Sequence, residues 1–318
     1  LSQPACFASL DPATHQLHRL NGQDRLWPQT NCSVDLWISV LAASGFEPEA
    51  MLGLTLPLDF EGDHFTFFKP AFEDLEALYG LRVQELGVYD AIERQVTVQL
   101  ARGRLCLVEV DSFFLPDTRG VSYRLEHGKT TIGINRLDLD ARRMEYFHNG
   151  GYHAVAGEDI DGLLHGYAQD ELPFLPYTEF VKFGAPPAGD IREMARTLLK
   201  RRLAQRPEDN PVRAFQVALP EQARAVAERP QAFFHRYAFH GLRHLGANFE
   251  LLADHLVWLD GAASEDSALA RRIAEVAKAA QFQLARACAR KKFDTLPDTV
   301  EAAVQAYDAL YARLAQRA

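Results

Sequence analysis

The sequence predicts an α+β N-terminal half with a largely antiparallel sheet, followed by an all-helical C-terminal half. Three observations carry this reading. Helical apolar spacing comes first in the chain, at about 32–44 and 72–79, each stretch stopped by a glycine, Gly45 or Gly80. Strand-like runs then dominate to about residue 147. Beyond a proline-rich stretch almost every segment is rich in Ala, Leu, Arg, Glu and Gln, which suits helix. Helices first and strands afterwards argue for α+β architecture rather than a βαβ repeat.

In chain order, residues 1–25 read as an irregular arm. Thr30 or Asn31 can cap a helix beginning at Cys32, with Leu36, Trp37, Val40 and Leu41 at helical spacing. Residues 82–86 alternate, and 104–110 (RLCLVEV) form a buried-strand run. Residues 129–137 and 143–147 are two more strands, joined by the turn-rich LDLDA. Residues 173–187 carry several prolines and read as a surface linker. Helices are expected at about 189–205, 219–227, 230–259, 265–290 and 297–316, with Pro220, Pro230 and Pro297 at or near their starts. The domain division is thus 1–170, a linker at 171–187, and 188–318.

The 318 residues suffice for two domains with substantial cores. A composition of 47% hydrophobic and 24% charged residues argues against disorder. The formal charge of −9, with no dense Lys/Arg stripe, argues against nucleic acid or an anionic membrane as partner. No apolar run approaches the roughly 20 residues that span a bilayer. Cys6, Cys32, Cys106 and Cys288 are widely spaced and form no CxxC pair, so neither a disulfide framework nor a zinc ribbon is expected. A reducing, cytoplasmic setting fits that usage.

Cys32 is the leading chemical candidate. At a helix start the backbone N–H groups and the helix dipole favour a thiolate. The same groups, with an amide from Gln29 or Asn31, can form an oxyanion hole. The plainer reading is a small buried residue opening a helix. His127 precedes the strand KTTIGINRL and is the candidate base. A hairpin centred near Asp140 brings Asn149 towards the His127 end, and a side-chain amide there can hold an imidazole tautomer. Strict register would set His153 opposite His127, and His148 and Asp138 are further options for the orienting member. His127 could equally be a surface or capping histidine.

In DFEGDHFTFFK, residues 59–69, Asp59, Glu61 and Asp63 alternate and would share one face of a strand. Asp111 and Asp117, in EVDSFFLPDT, add acid. A carboxylate metal site, an anionic pocket for an amino group, and a solvated acidic loop are the three readings. His240, His244 and His255 recur on one face of a long helical stretch, which reads as an amphipathic helix rather than a metal site.

Taken together, TNCSVDLWI, DFEGDHFTFFK, EVDSFFLPDT with YRLEHGKTTI, and YFHNGGYH resemble the DUF1839 family of bacterial proteins. The resemblance covers residues 5–165 and continues more loosely through the helical half. It implies a setting near carrier proteins and enzymes that load amino acids onto them. More distantly, the Cys…His order is similar to BtrH-type papain-like acyltransferases, which move an acyl group from a carrier-protein thioester to an amine. That likeness implies a papain-like N-terminal domain with Cys32 as nucleophile, His127 as base and Asn149 as third member, although YFHNGG departs from the usual Asp-Pro. Gln29 and Asn31 would serve the oxyanion, and Asp59, Glu61, Asp63, Asp111 and Lys129 the substrate. The partners implied are an acyl or aminoacyl carrier protein and a small-molecule or peptide acceptor. The phosphopantetheine arm arrives with the carrier, and no metal or cofactor of the chain's own is expected. Arg201, Arg202, Arg236 and Arg243 are candidates for docking the acidic carrier. A thiol hydrolase and a non-catalytic carrier-binding protein are the alternatives.

Overall fold

The computed structural model describes residues 4–165, 168–169, 172–173 and 175–317. Their contacts group into two compact units. The first comprises 1–21, 32–46 and 72–187, and the second 22–31, 47–71 and 188–318. The helical unit takes in 188–318 and also 22–31 and 47–71, which the expected division at 1–170 and 188–318 did not separate. Sequence proximity to the first helix hid this, because membership is decided by which apolar face each segment covers.

The first unit is built on a six-stranded sheet in which every neighbouring pair is antiparallel. Helices α1 (Cys32–Ala43) and α2 (Phe72–Tyr79) precede β1 (Leu81–Glu85), α3 (Ile92–Ala101) and β2 (Leu105–Asp111). β3 (Lys129–Asp138), β4 (Arg143–His148), β5 (Gly151–Ala156) and α4 (Glu158–His165) follow. After the short pair β6 (Ala168–Gln169) and β7 (Leu172–Pro173), β8 (Thr178–Phe183) returns to the sheet. The order is β1-β8-β2-β3-β4-β5.

β8 is a correction to the expected linker at 171–187. Its prolines flank a strand, TEFVKF, whose Val181 is fully buried, and it fills the gap between β1 and β2. α3, α4 and β5 also lie outside the expected elements. On one face of the sheet, Ile92, Val96 and Leu100 of α3 and Ile160, Leu163 and Leu164 of α4 pack on Val108, Ile132, Ile134 and Tyr146. Each such buried aliphatic side chain stabilises the fold by about 1.5–3 kcal/mol. α1 packs on β3, β4 and β5.

The β3–β4 register slips between Ile134 and Arg136. The bulged Asn135 is wholly buried, and its amide bonds both the Phe7 backbone and the Tyr152 hydroxyl, tying down the N-terminal arm. The β4–β5 turn is Asn149–Gly150, with Asn149 at φ 47°. Gly150 is required there, because a Cβ would come within 2.6 Å of Asn21. Asn21 in turn bonds the Asp35 carbonyl and the Ser39 hydroxyl of α1.

The second unit is helical: α5 (Ile191–Ala204), α6 (Pro211–Ala227), α7 (Gln231–Ala238), α8 (His244–Asp260), α9 (Glu265–Arg290) and α10 (Glu301–Arg317). α6 begins at an Asn210 cap with Pro211 in its first turn, so Pro220 lies inside the helix and not at its start. The expected helix 230–259 is broken at Gly241, whose φ −97°, ψ −108° lie outside helical geometry. Ser264 opens α9 with a reciprocal capping box, and Gly261 closes α8 in the left-handed conformation. Gly246 allows the Trp27 ring onto α8, and the Glu250 carboxylate accepts from the Leu26 and Trp27 N–H groups. No helix among the described residues is long and apolar enough to cross a membrane.

Candidate active site

Cys32 opens α1 and is half-buried. Its position follows from the end of the β3–β4 ladder. The last pair is Ile132↔His148, after which the chain turns away at Asn149. Beyond that pair β4 no longer covers β3, and Thr130 and Thr131 of β3 are among the groups that act on the Cys32 thiol. Burial pushes the Cys32 thiol up from its ordinary value. The Thr130 hydroxyl, the Lys129 charge and the Thr131 N–H pull it back towards the thiolate, while Asp35 opposes them.

Thr130 connects the sulfur to a buried pair. Its Oγ1 lies 2.9 Å from Nε2 of His148, and His148 Nδ1 lies 2.6 Å from Oδ2 of Asp117. The other Asp117 oxygen accepts from the Tyr146 hydroxyl at 2.6 Å. A carboxylate only accepts, so Nδ1 carries a proton towards Asp117, and Nε2 faces Thr130. Burial acts to raise the Asp117 carboxyl, but the hydrogen bond and charge of His148, with His153 and Tyr146, outweigh it and hold it below its usual value. His153 Nε2 stands 3.9 Å from the same carboxylate. Burial lowers the His153 imidazole, with Asp117 acting the other way.

A second histidine–aspartate pair lies at the open end of the same strands. His127 Nδ1 is 2.5 Å from Oδ2 of Asp111, and its ring stacks on Phe113 with centroids 4.3 Å apart. Asp111 Oδ1 accepts from the Phe113 and Gly128 N–H groups, both at 3.0 Å. Burial acts to raise the Asp111 carboxyl, and His127 with those two N–H groups hold it below its usual value. The His127 side chain is 71% exposed, against 2% for His148. The orienting partner of His127 is thus Asp111 rather than Asn149. β2 and β3 pair as far as Asp111↔Lys129, which brings the carboxylate beside the histidine, whereas the turn bearing Asn149 closes short of it.

The remaining expected residues are dispersed. Lys129 Nζ bonds Glu109 at 2.7 Å. Gln29 and Asn31 group with the helical unit, where the Gln29 carbonyl oxygens accept from Arg243 and the Asn31 amide donates to the Phe68 carbonyl. Asp59, Glu61 and Asp63 also belong to that unit and do not share a strand face. The segment doubles back through a Phe60↔Phe65 bridge, with Gly62 at φ 95°. Thr66 donates to Glu61, and Asp63 pairs with His64. Among the described residues no group of three or more His, Cys, Asp or Glu is placed to hold a metal ion. A surface cavity of about 390 Å³ between Glu76, Arg82 and Lys182 shares no residue with the Cys32 site.

Sequence reasoning weighed His148 and Asp117 only in passing and missed Thr130. A threonine in a strand carries no signal of its own. The usable signal was the pairing of an acid in EVDSFFLPDT with the histidine that ends the YFH strand.

Residues 16–183 match the family model described as the DUF1839 N-terminal domain, and residues 189–316 match the DUF1839 C-terminal domain. No curated protein matches the chain.

Proposed function

The chain belongs to the DUF1839 family, and on that premise we propose that it transfers an acyl or aminoacyl group from a carrier-protein phosphopantetheine thioester to an acceptor amine or hydroxyl through Cys32. The observation that carries this reading is a half-buried thiol at a helix start, drawn towards the thiolate by Thr130, whose hydroxyl is bonded to a buried histidine–aspartate pair. That is the equipment of nucleophilic thiol catalysis. The Cys32 sulfur attacks the thioester carbonyl, the bond to the phosphopantetheine sulfur breaks, and an acyl-enzyme forms. The positive end of α1 favours the developing oxyanion. His127, exposed and oriented by Asp111, accepts the proton of the incoming amine or hydroxyl as it displaces Cys32. The carrier protein as donor, and a papain-like arrangement of α1 against the sheet, rest on the resemblance in the motifs.

Intact mass after incubation with an aminoacylated carrier protein tests this reading. A gain equal to the acyl group in the wild type, absent in Cys32→Ala, supports it. Unchanged mass and unchanged carrier loading in both proteins overturn it.

A further inference from the structure

We propose that Thr130 relays the Cys32 proton to His148, with Asp117 and Tyr146 holding that imidazole, so that the buried pair activates the nucleophile while the exposed His127–Asp111 pair serves the acceptor. This rests on the reading of Cys32 as the acyl-accepting thiol.

Hydrogen-bond direction is forced along the chain of groups. Asp117 takes the Nδ1 proton of His148, so in the tautomer that can act as a base Nε2 accepts. The Thr130 hydroxyl donates to Nε2, which leaves its oxygen lone pairs for the Cys32 S–H. When the thiol ionises, the S–H bond breaks and an O–H bond forms at Thr130. The original Thr130 O–H bond breaks, and an N–H bond forms at Nε2. The product is an imidazolium beside the Asp117 carboxylate and a thiolate accepting from Thr130. As the carbon–sulfur bond of the donor thioester breaks, Nε2 returns its proton to the Thr130 oxygen, and the proton Thr130 held passes to the departing phosphopantetheine sulfur instead of to the acylated Cys32. No outside oxidant, reductant or metal is involved.

The surroundings favour this path over direct transfer to His127. Burial disfavours a standing Cys32 thiolate, so the sulfur needs a base within reach when it attacks. Thr130, Lys129 and Thr131 favour the Cys32 thiolate and Asp35 opposes it, whereas His127 bonds Asp111 and stacks on Phe113. Around the buried pair stand Thr130, Tyr146 and His153, with Asp159 of α4 near Tyr146. Asp159 is itself bonded by Tyr123 and Arg124.

The test is the pH profile of Cys32 alkylation by iodoacetamide, read by peptide mass so that Cys6, Cys106 and Cys288 are scored separately. Each variant is first checked for a wild-type thermal transition. We expect Thr130→Val and His148→Asn each to slow Cys32 alkylation near neutral pH about tenfold and to move its midpoint upward. Thr130→Ser restores most of the rate, and the Thr130→Val/His148→Asn double variant is no slower than either single one, because both remove the same path. A wild-type rate and profile in folded Thr130→Val overturn the relay. So does slowing by Thr130→Val that His148→Asn does not share, since a lone hydrogen bond to sulfur would act without the histidine. An inert Cys32 in the folded wild type would instead overturn the nucleophile itself. A thiol that captures acyl groups yet ignores Thr130 removes only the relay.

Discussion

The two units bury their histidines in opposite ways. In the sheet unit, His148 is buried against a carboxylate and a hydroxyl, and its carboxylate is bonded again by Tyr146. In the helical unit, His244 and His255 of α8 are fully buried with no carboxylate bonded to either ring. His255 Nδ1 donates to the Glu49 carbonyl, and its other nitrogen faces Gly53, where an added Cβ would lie 3.2 Å from it. Burial lowers His244 to about 3 and His255 to about 4. Buried histidine alone is therefore core material here. His148 differs in having a fixed acid on one nitrogen and a hydroxyl on the other.

Acid should separate the units most sharply. His244 and His255 bind protons in the unfolded chain near pH 6.5 but in the fold only near pH 3–4. Stability from keeping them neutral is complete above about pH 6.5 and declines as pH falls towards 4, on the order of several kcal/mol for the two together. Asp117 has the same sense in a lower window: its depressed carboxyl contributes above the unfolded value of about 4 and is lost only as pH falls through the folded one. Hydrogen exchange at pH 7 and pH 5, corrected for intrinsic rates, should show α8 losing protection while β3 and β4 keep theirs. Equal loss in both would break the comparison.

Asp117→Asn attacks the sheet unit's side of it. Asparagine keeps one acceptor oxygen and turns the other into an NH2 donor, so either His148 or Tyr146 loses its acceptor and the charge is gone, which should cost about 3 kcal/mol in urea unfolding. A neutral result would mean the pair is not held as described. Gly246→Ala probes the helical unit, where an added Cβ meets the Trp27 ring at 2.3 Å. It should destabilise by about 2 kcal/mol through overpacking and leave Cys32 alkylation unchanged. Smallest is Pro220→Ala, which restores a donor inside α6 and should raise the urea midpoint by the equivalent of about 1 kcal/mol.

Much of the fold was legible. Cys32 does begin a helix that ends before Gly45, and β1–β4 lie within a residue of the expected runs. The strands found only in the structure, β5 and β8, lie beside glycines and prolines that masked their alternation. α3 was hidden by a polar face, since only Ile92, Val96, Gln99 and Leu100 of its ten residues are buried. At the site, Cys32 and His127 were legible as residue types in suggestive places, and His127 does meet a fixed acid. The acid's identity was not legible, because Asp111 reaches His127 through the β2–β3 register and not through the hairpin nearest in sequence.

By itself the sequence determined the element types, the helical second half and the family, since local propensity, apolar period and motif residues act over short spans or are read directly. Only the tertiary structure decided which acid pairs with which histidine, that 22–31 and 47–71 join the helices, and that the Thr130 hydroxyl meets His148. Those depend on strand register and on where a ladder ends. A shift of one residue sends every side chain to the other face, so no local pattern can specify them.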